Sequence, residues 1–315
     1  MNVQDAATVS ITGAANNDII NLGSGAASVT LGGPGETVNG GTGNATFYVT
    51  GATAGATINA GSGANTLNVR AGGTVVMGAG SGIQNVFLNT ATTTYDFVAN
   101  ATANQVIRAS LNGNDTVVVG AASQTVQGYN GALTVQATAA NAGALIRGGS
   151  GGATLDITTG GTASLNASDT NLTVRLSAAT NLGLGTLSFI TAIGAAGATS
   201  MISAGGANQT LESIGGHDTL VGASSYRDIF LGSSAGINGD IIQKFGGLGS
   251  LADKIDLTDM TTTGSLAYSG STTQGVLSVS DGVHSAQITM IGNYTTANFS
   301  GLTTDGHGGS FITFV

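Results

Sequence analysis

A nine-residue repeat constrains the fold of this chain more than any other feature. Residues 13–48 read as GAANNDIIN, LGSGAASVT, LGGPGETVN and GGTGNATFY, with small residues early and one large apolar residue in the eighth place. Those apolar residues are Ile20, Val29, Val38 and Phe47. A fixed short period is typical of a solenoid, in which each unit buries its apolar face only against its neighbours.

Apolar residues continue at intervals of nine to eleven along most of the chain, with strict spacing of nine over 11–47 and 184–220. The predicted core positions are Ile11, Ile20, Val29, Val38, Phe47, Ile58, Leu67, Val76, Val86, Phe97, Ile107, Val117, Val126, Val135, Ile146, Leu155, Leu165, Val174, Leu184, Ile193, Ile202, Leu211, Leu220 and Phe230. Glycine supplies the turns, and β-branched residues favour the strands between them. We predict an all-β parallel β-roll or β-helix, with about two repeats per coil. A coil of 18–20 residues favours two sheets, with a three-faced helix as the alternative.

Composition excludes several classes of protein. Only 7% of the 315 residues are charged, the net charge is −9, and the seven basic residues are dispersed, so a nucleic-acid partner is not expected. No apolar run is long enough for a transmembrane helix. The first ten residues lack the charged and apolar regions of a cleavable signal peptide.

The repeat resembles the glycine-rich nonapeptide GGxGxDxUx, where U is a large apolar residue, of the RTX proteins that type I secretion systems export from Gram-negative bacteria. In that family the Asp and turn carbonyls bind Ca²⁺ between adjacent turns, so the resemblance implies calcium as the cofactor. The Asp precedes the apolar residue by two places, and here this place holds Asp18, Asp115, Asp218, Asp228 and Asp240.

Most repeats in this chain lack that Asp, having for example Ala27, Glu36 or Ala45 there. A half-site without a carboxylate suits Ca²⁺ poorly, because this ion takes six to eight oxygen ligands. Six Asp fall in residues 218–259, so calcium is expected mainly at 215–242. The alternative is that these Asp bond their own turns.

The C-terminal third carries a second resemblance. Residues 240–260, DIIQKFGGLGSLADKIDLTDM, resemble the segment that closes RTX repeats, and 275–315 resemble the secretion-target region of large repetitive α-proteobacterial surface proteins. Alternation over 276–280 predicts antiparallel strands that cap the open end of the solenoid. We predict a repeat region at 1–242 and a capping and secretion-signal region at 243–315. The resemblance implies an extracellular or cell-surface protein of a Gram-negative bacterium, exported by an uncleaved C-terminal signal.

No catalytic constellation is found in the sequence. HExxH and Cys are absent, and His217 and His307 lie in glycine turns. Arg70, Arg108 and Arg147 recur at spacings of 38 and 39, which could align them along one side of the solenoid. The favoured interpretation is that these arginines are solitary cations on the surface.

Three hypotheses about function follow. The favoured one is a non-catalytic structural or adhesive repeat protein of the surface-layer, biofilm-matrix or adhesin type, with self-association or a cell-surface polysaccharide as its partner. The rival is a carbohydrate-active β-helix, either a polysaccharide lyase or epimerase or a glycan-binding module. It would require two or more of Arg70, Arg108, Arg147 and Arg175 to converge with an Asp in one groove. The third is the secretion-competent end of an enzyme.

Overall fold

A computed structural model describes most of the chain. The described residues are 1–3, 7–10, 17–33, 35–50, 56–70, 73–76, 82–89, 95–98, 103–166, 169–224 and 227–315, with backbone only at 7–10, 73–76 and 95–98. They form short β-strands almost throughout, which confirms the all-β class. The chain divides into two compact units, Met1–Leu155 with Ser168–Leu172, and Asp156–Ala167 with Thr173–Val315. Both are parallel β-solenoids.

The strands of the first unit alternate along the chain between two parallel sheets. They are β1 (Asn2–Val3), β2 (Ala7–Ser10), β3 (Ile19–Leu22), β4 (Ala27–Leu31), β5 (Thr37–Asn39), β6 (Ala45–Val49), β7 (Thr57–Asn59), β8 (Asn65–Val69), β9 (Gly73–Val76), β10 (Ile83–Leu88), β11 (Tyr95–Val98), β12 (Val106–Arg108), β13 (Asp115–Val118), β14 (Thr125–Gln127), β15 (Leu133–Ala137), β16 (Leu145–Arg147) and β17 (Ala153–Ile157). A 3₁₀ helix spans Ala139–Asn141. Odd-numbered strands pair with one another, and the even-numbered strands β2 to β16 form the second sheet, called here the even sheet of the first unit.

The second unit repeats this alternation and then changes direction. Its strands are β18 (Gly161–Ser164), β19 (Leu172–Leu176), β20 (Thr180–Gly183), β21 (Thr191–Ile193), β22 (Met201–Ser203), β23 (Thr210–Glu212), β24 (Thr219–Val221), β25 (Ile229–Gly232), β26 (Ile241–Gln243), β27 (Lys254–Leu257), β28 (Ser265–Gly270), β29 (Gln274–Ser280), β30 (Ser285–Ile291), β31 (Thr303–Thr304) and β32 (Ser310–Thr313). The helices are α1 (Ser234–Ile237) and two 3₁₀ helices, Gly249–Leu251 and Thr296–Asn298. Strands up to β27 pair in parallel, whereas β28, β29, β31 and β32 pair antiparallel.

Strand register confirms the predicted coil. Ile20 lies opposite Val38, and Val29 lies opposite Phe47, so each coil here is two nine-residue repeats. Each unit alternates between two sheets among its described residues, as a two-faced solenoid requires. A Cβ atom at Gly131 would collide with the carbonyl oxygen of Gly113 one coil earlier, which explains why glycine occupies such stacked turns.

The predicted core positions face the interior of each coil, with one exception. All those with described side chains are buried except Ile193, which is half-exposed. The register places Ala192 opposite Leu211, because the turn before β21 shifts the phase by one residue. Ile11 lies outside the described residues, and only the backbone is described at Val76 and Phe97.

The C-terminal segment completes both sheets of the second unit with antiparallel strands. β30 joins the sheet beside β26, and β29 and β28 follow in antiparallel order, while β32 and β31 extend the other sheet beyond β27. In β29, Leu277 and Val279 are buried and Val276 is exposed, which confirms the alternation expected there. Parallel coiling continues past residue 242, because β27 still pairs in parallel with β25. No helix within the described ranges is long and apolar enough to span a membrane.

Candidate functional site

The place two residues before a core apolar residue, where the resemblance puts the metal-binding Asp, faces the interior of the coil. We call it the inward polar position. In the second unit Ser200, Asp218 and Asp240 occupy it on consecutive coils. Asp218 Oδ1 accepts the Ser200 N–H at 2.7 Å, and Asp240 Oδ1 accepts the Asp218 N–H at 2.8 Å. Each carboxylate therefore bonds the backbone of the preceding coil.

The other sheet of the second unit has the same arrangement. Asp228 accepts N–H groups from Gln209 and Ala223 at 3.0 and 2.7 Å, one on each oxygen. Asp253 accepts those of Asp228 and Gly246, both at 2.9 Å. The sequence prediction missed Asp253, although its place two residues before the buried Ile255 was a usable signal.

A buried amide side chain takes this role in the first unit. Asn65, two residues before the buried Leu67, accepts the Ala45 N–H on Oδ1 at 2.8 Å. Gln84 on the next coil is exposed, because a register shift places Ile83 opposite Asn65, but its Oε1 still accepts the Asn65 N–H at 2.7 Å. Both residues lie on the even sheet. An amide oxygen can thus replace a carboxylate at this position. In other repeats of the first unit the position holds Ala27, Ala45 or Ala56, which place no acceptor there.

The two predicted Asp of the first unit differ in their surroundings from those of the second. Asp115 is buried, and its Oδ2 accepts the N–H and the hydroxyl of Ser110 at 2.6 and 2.8 Å. Asp18 is half-buried, one coil before the fully buried Glu36. The position is thus the same in both units, but its bonding differs.

A residue with a left-handed backbone conformation, that is with positive φ, directly precedes several of these inward positions. His217, Arg227 and Asn208 have φ values of 60°, 68° and 59°, and each stands directly before an inward Asp or Gln. This turn aims the next side chain into the coil before the strand begins. The exposed His217 is therefore a turn residue, as its GGHD context predicted.

Burial determines the proton affinity of the inward carboxylates. It raises the pKa of Asp240 and of Asp253 to about 7, against an ordinary 3.8. Burial also raises the pKa of Asp115, Asp218 and Asp228. The low-dielectric interior disfavours the ionised form, and the N–H donors offset only part of that effect.

Two of the predicted calcium ligands have both carboxylate oxygens in hydrogen bonds. In Asp218 and in Asp228 each oxygen accepts an N–H or O–H hydrogen. No cluster of three or more His, Asp or Glu suited to a metal occurs among the residues described. Calcium binding at Asp18, Asp115, Asp218, Asp228 and Asp240 stays a prediction from the resemblance.

The remaining histidines bond within local turns. His284 Nδ1 lies 3.3 Å from Asp281 Oδ2, three residues earlier in the same hairpin turn. Asp281 also accepts the backbone N–H groups of Val283 and His284, and these bonds hold its pKa below the ordinary range. The backbone N–H of His307 donates to Asp305. These contacts close turns.

Two of the arginines lie closer together than expected for solitary surface cations. Arg108 and Arg147 lie on β12 and β16 of the even sheet, with Gln127 between them in the same row, and Arg70 directly follows β8. Arg175 is on β19 in the second unit. The predicted alignment along one side is therefore real for Arg108 and Arg147.

Searches against family models, curated proteins and solved structures find no match to this chain. The functional conclusion therefore rests on the fold and on the side-chain geometry.

Proposed function

We propose that this chain is a non-catalytic, extracellular structural or adhesive repeat protein, of the kind found in surface layers, biofilm matrices or adhesins. One observation carries the proposal: the acids at the inward polar position form hydrogen bonds with the coil itself, in its interior. Asp218, Asp228 and Asp253 each use both carboxylate oxygens in such bonds. Carboxylates engaged in this manner stabilise the stack and are not presented to a substrate.

The outer surface supports a structural role. Asn2, Asn21, Asn39 and Asn59 stack on successive coils, with side-chain amide bonds of 2.8, 2.9 and 3.1 Å between neighbours. Such ladders stabilise a solenoid and leave a surface that is polar but uncharged. Because few charges repel a second copy, such a surface also favours self-association.

Export belongs to the same proposal and rests on the sequence. The likeness of residues 240–260 and 275–315 to closing and secretion-target segments supports an extracellular or cell-surface location in a Gram-negative bacterium, reached by an uncleaved C-terminal signal. The antiparallel strands β28–β30 are compatible with this role, because they would protect a sheet end after export.

The rival enzyme hypothesis is disfavoured by the surroundings of the arginines. A lyase, epimerase or hydrolase needs an acid or base beside its cationic group. None of the eight strands of the even sheet, which carries Arg108 and Arg147, contains Asp or Glu. A binding role suits this surface better than catalysis.

An assembly assay tests the proposal. Purified chain would be followed by light scattering and electron microscopy over a range of protein concentrations, with calcium and with a chelator. We expect ordered multimers in both conditions. A strictly monomeric species under all conditions would argue against self-association, and turnover of a polysaccharide substrate would contradict the non-catalytic assignment.

A further inference from the structure

One row of side chains crosses the outer face of the even sheet. Strand register aligns one residue from each of the six strands β6 to β16 that are neighbours in the even sheet, and each of these residues is exposed or half-exposed. The row is Tyr48, Asn68, Phe87, Arg108, Gln127 and Arg147. Successive members are about 4.8 Å apart, the spacing of neighbouring strands. We call this the Arg–aromatic row.

The two aromatic rings of this row contact arginines, one beside the row and one in it. The Arg70 guanidinium lies 4.2 Å from the centre of the Tyr48 ring, and that of Arg108 lies 4.9 Å from the Phe87 ring. Arg108 Nη1 also donates to Asn85 Oδ1 at 3.0 Å. These contacts pre-orient two guanidinium groups at the surface, so less conformational entropy would be lost on binding.

The charge of this sheet differs from that of the whole chain. The chain carries −9, yet no strand of the even sheet contains an acidic residue. Three of the seven basic residues of the chain, Arg70, Arg108 and Arg147, lie on or beside it. The surface is therefore complementary to an extended anion.

A cavity adjoins the middle of the row. It has a volume of about 220 Å³, and its lining includes Phe87, Arg108, Leu111, Asn112 and Tyr129. Leu111 is 62% exposed, so an apolar surface is accessible beside a guanidinium and side-chain amides. Apolar surface with a few polar groups is typical of ligand sites.

These observations favour one chemistry of ligand. Arginine recognises carboxylates with two parallel hydrogen bonds, amides bond hydroxyl groups, and aromatic faces pack on apolar ring surfaces. A linear sugar polymer with carboxylates presents all three repeatedly along its length. We propose that the Arg–aromatic row binds a linear uronate-containing polysaccharide that runs along the coil stack. This inference rests on the proposed adhesive function and names its partner.

The test measures binding of the full chain to polygalacturonate by isothermal titration calorimetry at two salt concentrations. We expect binding that weakens with salt. Loss of Arg108 and Arg147 in the double Arg→Gln variant should weaken it about 100-fold, on the basis of about tenfold per charged hydrogen-bonding group. Arg175→Gln on β19 removes one positive charge outside the row, which makes it the charge-matched control for the single variant Arg147→Gln, and it should bind like the wild type.

Several outcomes would overturn the inference. These are no binding by the wild type, equal losses in Arg175→Gln and in the double variant, or equally tight binding of neutral dextran. Tighter binding of single-stranded oligo-dT than of polygalacturonate, lost in the same double variant, would assign the row to nucleic acid. If circular dichroism shows that Arg108→Gln does not fold, the test uses the single variant Arg147→Gln, which changes an exposed side chain. Its affinity for polygalacturonate should fall about tenfold.

Two further measurements on the same samples distinguish a failure of this inference from a failure of the proposed function. Polygalacturonate length after incubation, measured by size-exclusion chromatography, reports catalysis, and light scattering of the protein reports assembly. Shortened polymer with intact binding would contradict the non-catalytic function and leave the binding row standing. Assembly without any polysaccharide binding would contradict the row alone.

Discussion

Replacing Asp240 by asparagine should flatten the dependence of stability on pH. Burial raises the pKa of Asp240 from 3.8 to about 7. Between these values the folded state binds a proton that the unfolded state has released. Its stabilising effect is fully present below about pH 4 and is lost as the pH rises through about 7. At 1.36 kcal/mol per pKa unit, the loss from Asp240 alone is about 4 kcal/mol.

Asparagine suits this substitution because it resembles the protonated acid. Asp240 Oδ1 accepts the Asp218 N–H, and the amide oxygen introduced by Asp240→Asn can do the same. The Ser213 hydroxyl is close enough to lower the pKa of Asp240, but its hydrogen bonds go to Asp218 and Gly236. Asp240 Oδ2 has no partner within hydrogen-bond distance, so an amide nitrogen there breaks no hydrogen bond. In Asp253 both oxygens accept N–H groups, so Asp253→Asn should cost about 1–3 kcal/mol at pH 4. This cost should decrease as the pH rises towards 7, because burial raises the pKa of Asp253 to about 7 as well.

Urea denaturation followed by circular dichroism, repeated from pH 4 to pH 8, measures this difference. The wild-type free energy of unfolding should fall as the pH rises, and the slope should be shallower in Asp240→Asn by up to about 1.4 kcal/mol per pH unit. Asp156→Asn, half-exposed on β17, is the charge-matched control and should keep the wild-type slope. An unchanged slope in Asp240→Asn would refute the reasoning. A wild-type free energy of unfolding that rises with pH would also refute it, because this is the result expected if a bound cation kept the carboxylate ionised.

Two further predictions concern the turns. Gly205→Ala should destabilise the chain by about 1–3 kcal/mol, because the added Cβ would collide with the carbonyl oxygen of Gly185, whereas Gly301→Ala has open space and should be nearly neutral. His217→Gly should stabilise the chain by about 1 kcal/mol, since His217 has a φ of 60° that glycine adopts without strain. Thermal and urea unfolding would measure both, and a destabilised His217→Gly would show that the imidazole has a structural role beyond the turn.

The spacing of the apolar residues was enough to predict the fold, because the same short repeat pattern determines the structure of each coil. An apolar residue that recurs every nine places must face inward on alternating strands, and Ile20, Val38 and Phe47 do so. The one-residue error at Ile193 arose where Ala192 fills the core. Alanine is too common in this chain to mark a core position by itself.

The candidate site was harder to predict, because an Asp at the same position of the repeat can have either of two roles. The sequence located Asp218, Asp228 and Asp240 correctly by their phase, but phase does not tell whether a carboxylate meets a cation or a backbone N–H. The Arg–aromatic row was predictable only in part. The spacing of Arg108 and Arg147 equals two coils, yet Phe87 and Tyr48 join their row only through the register of intervening coils with unequal lengths.

Thermal unfolding with chelator and with millimolar calcium, followed by circular dichroism, tests the central claim most directly. If the inward carboxylates bond the backbone of neighbouring coils, the chain should show its β-sheet spectrum in chelator. Its unfolding midpoint should also change little when calcium is added. A chain that is unfolded in chelator and folds on addition of calcium would contradict the claim, because the same Asp would then be metal ligands.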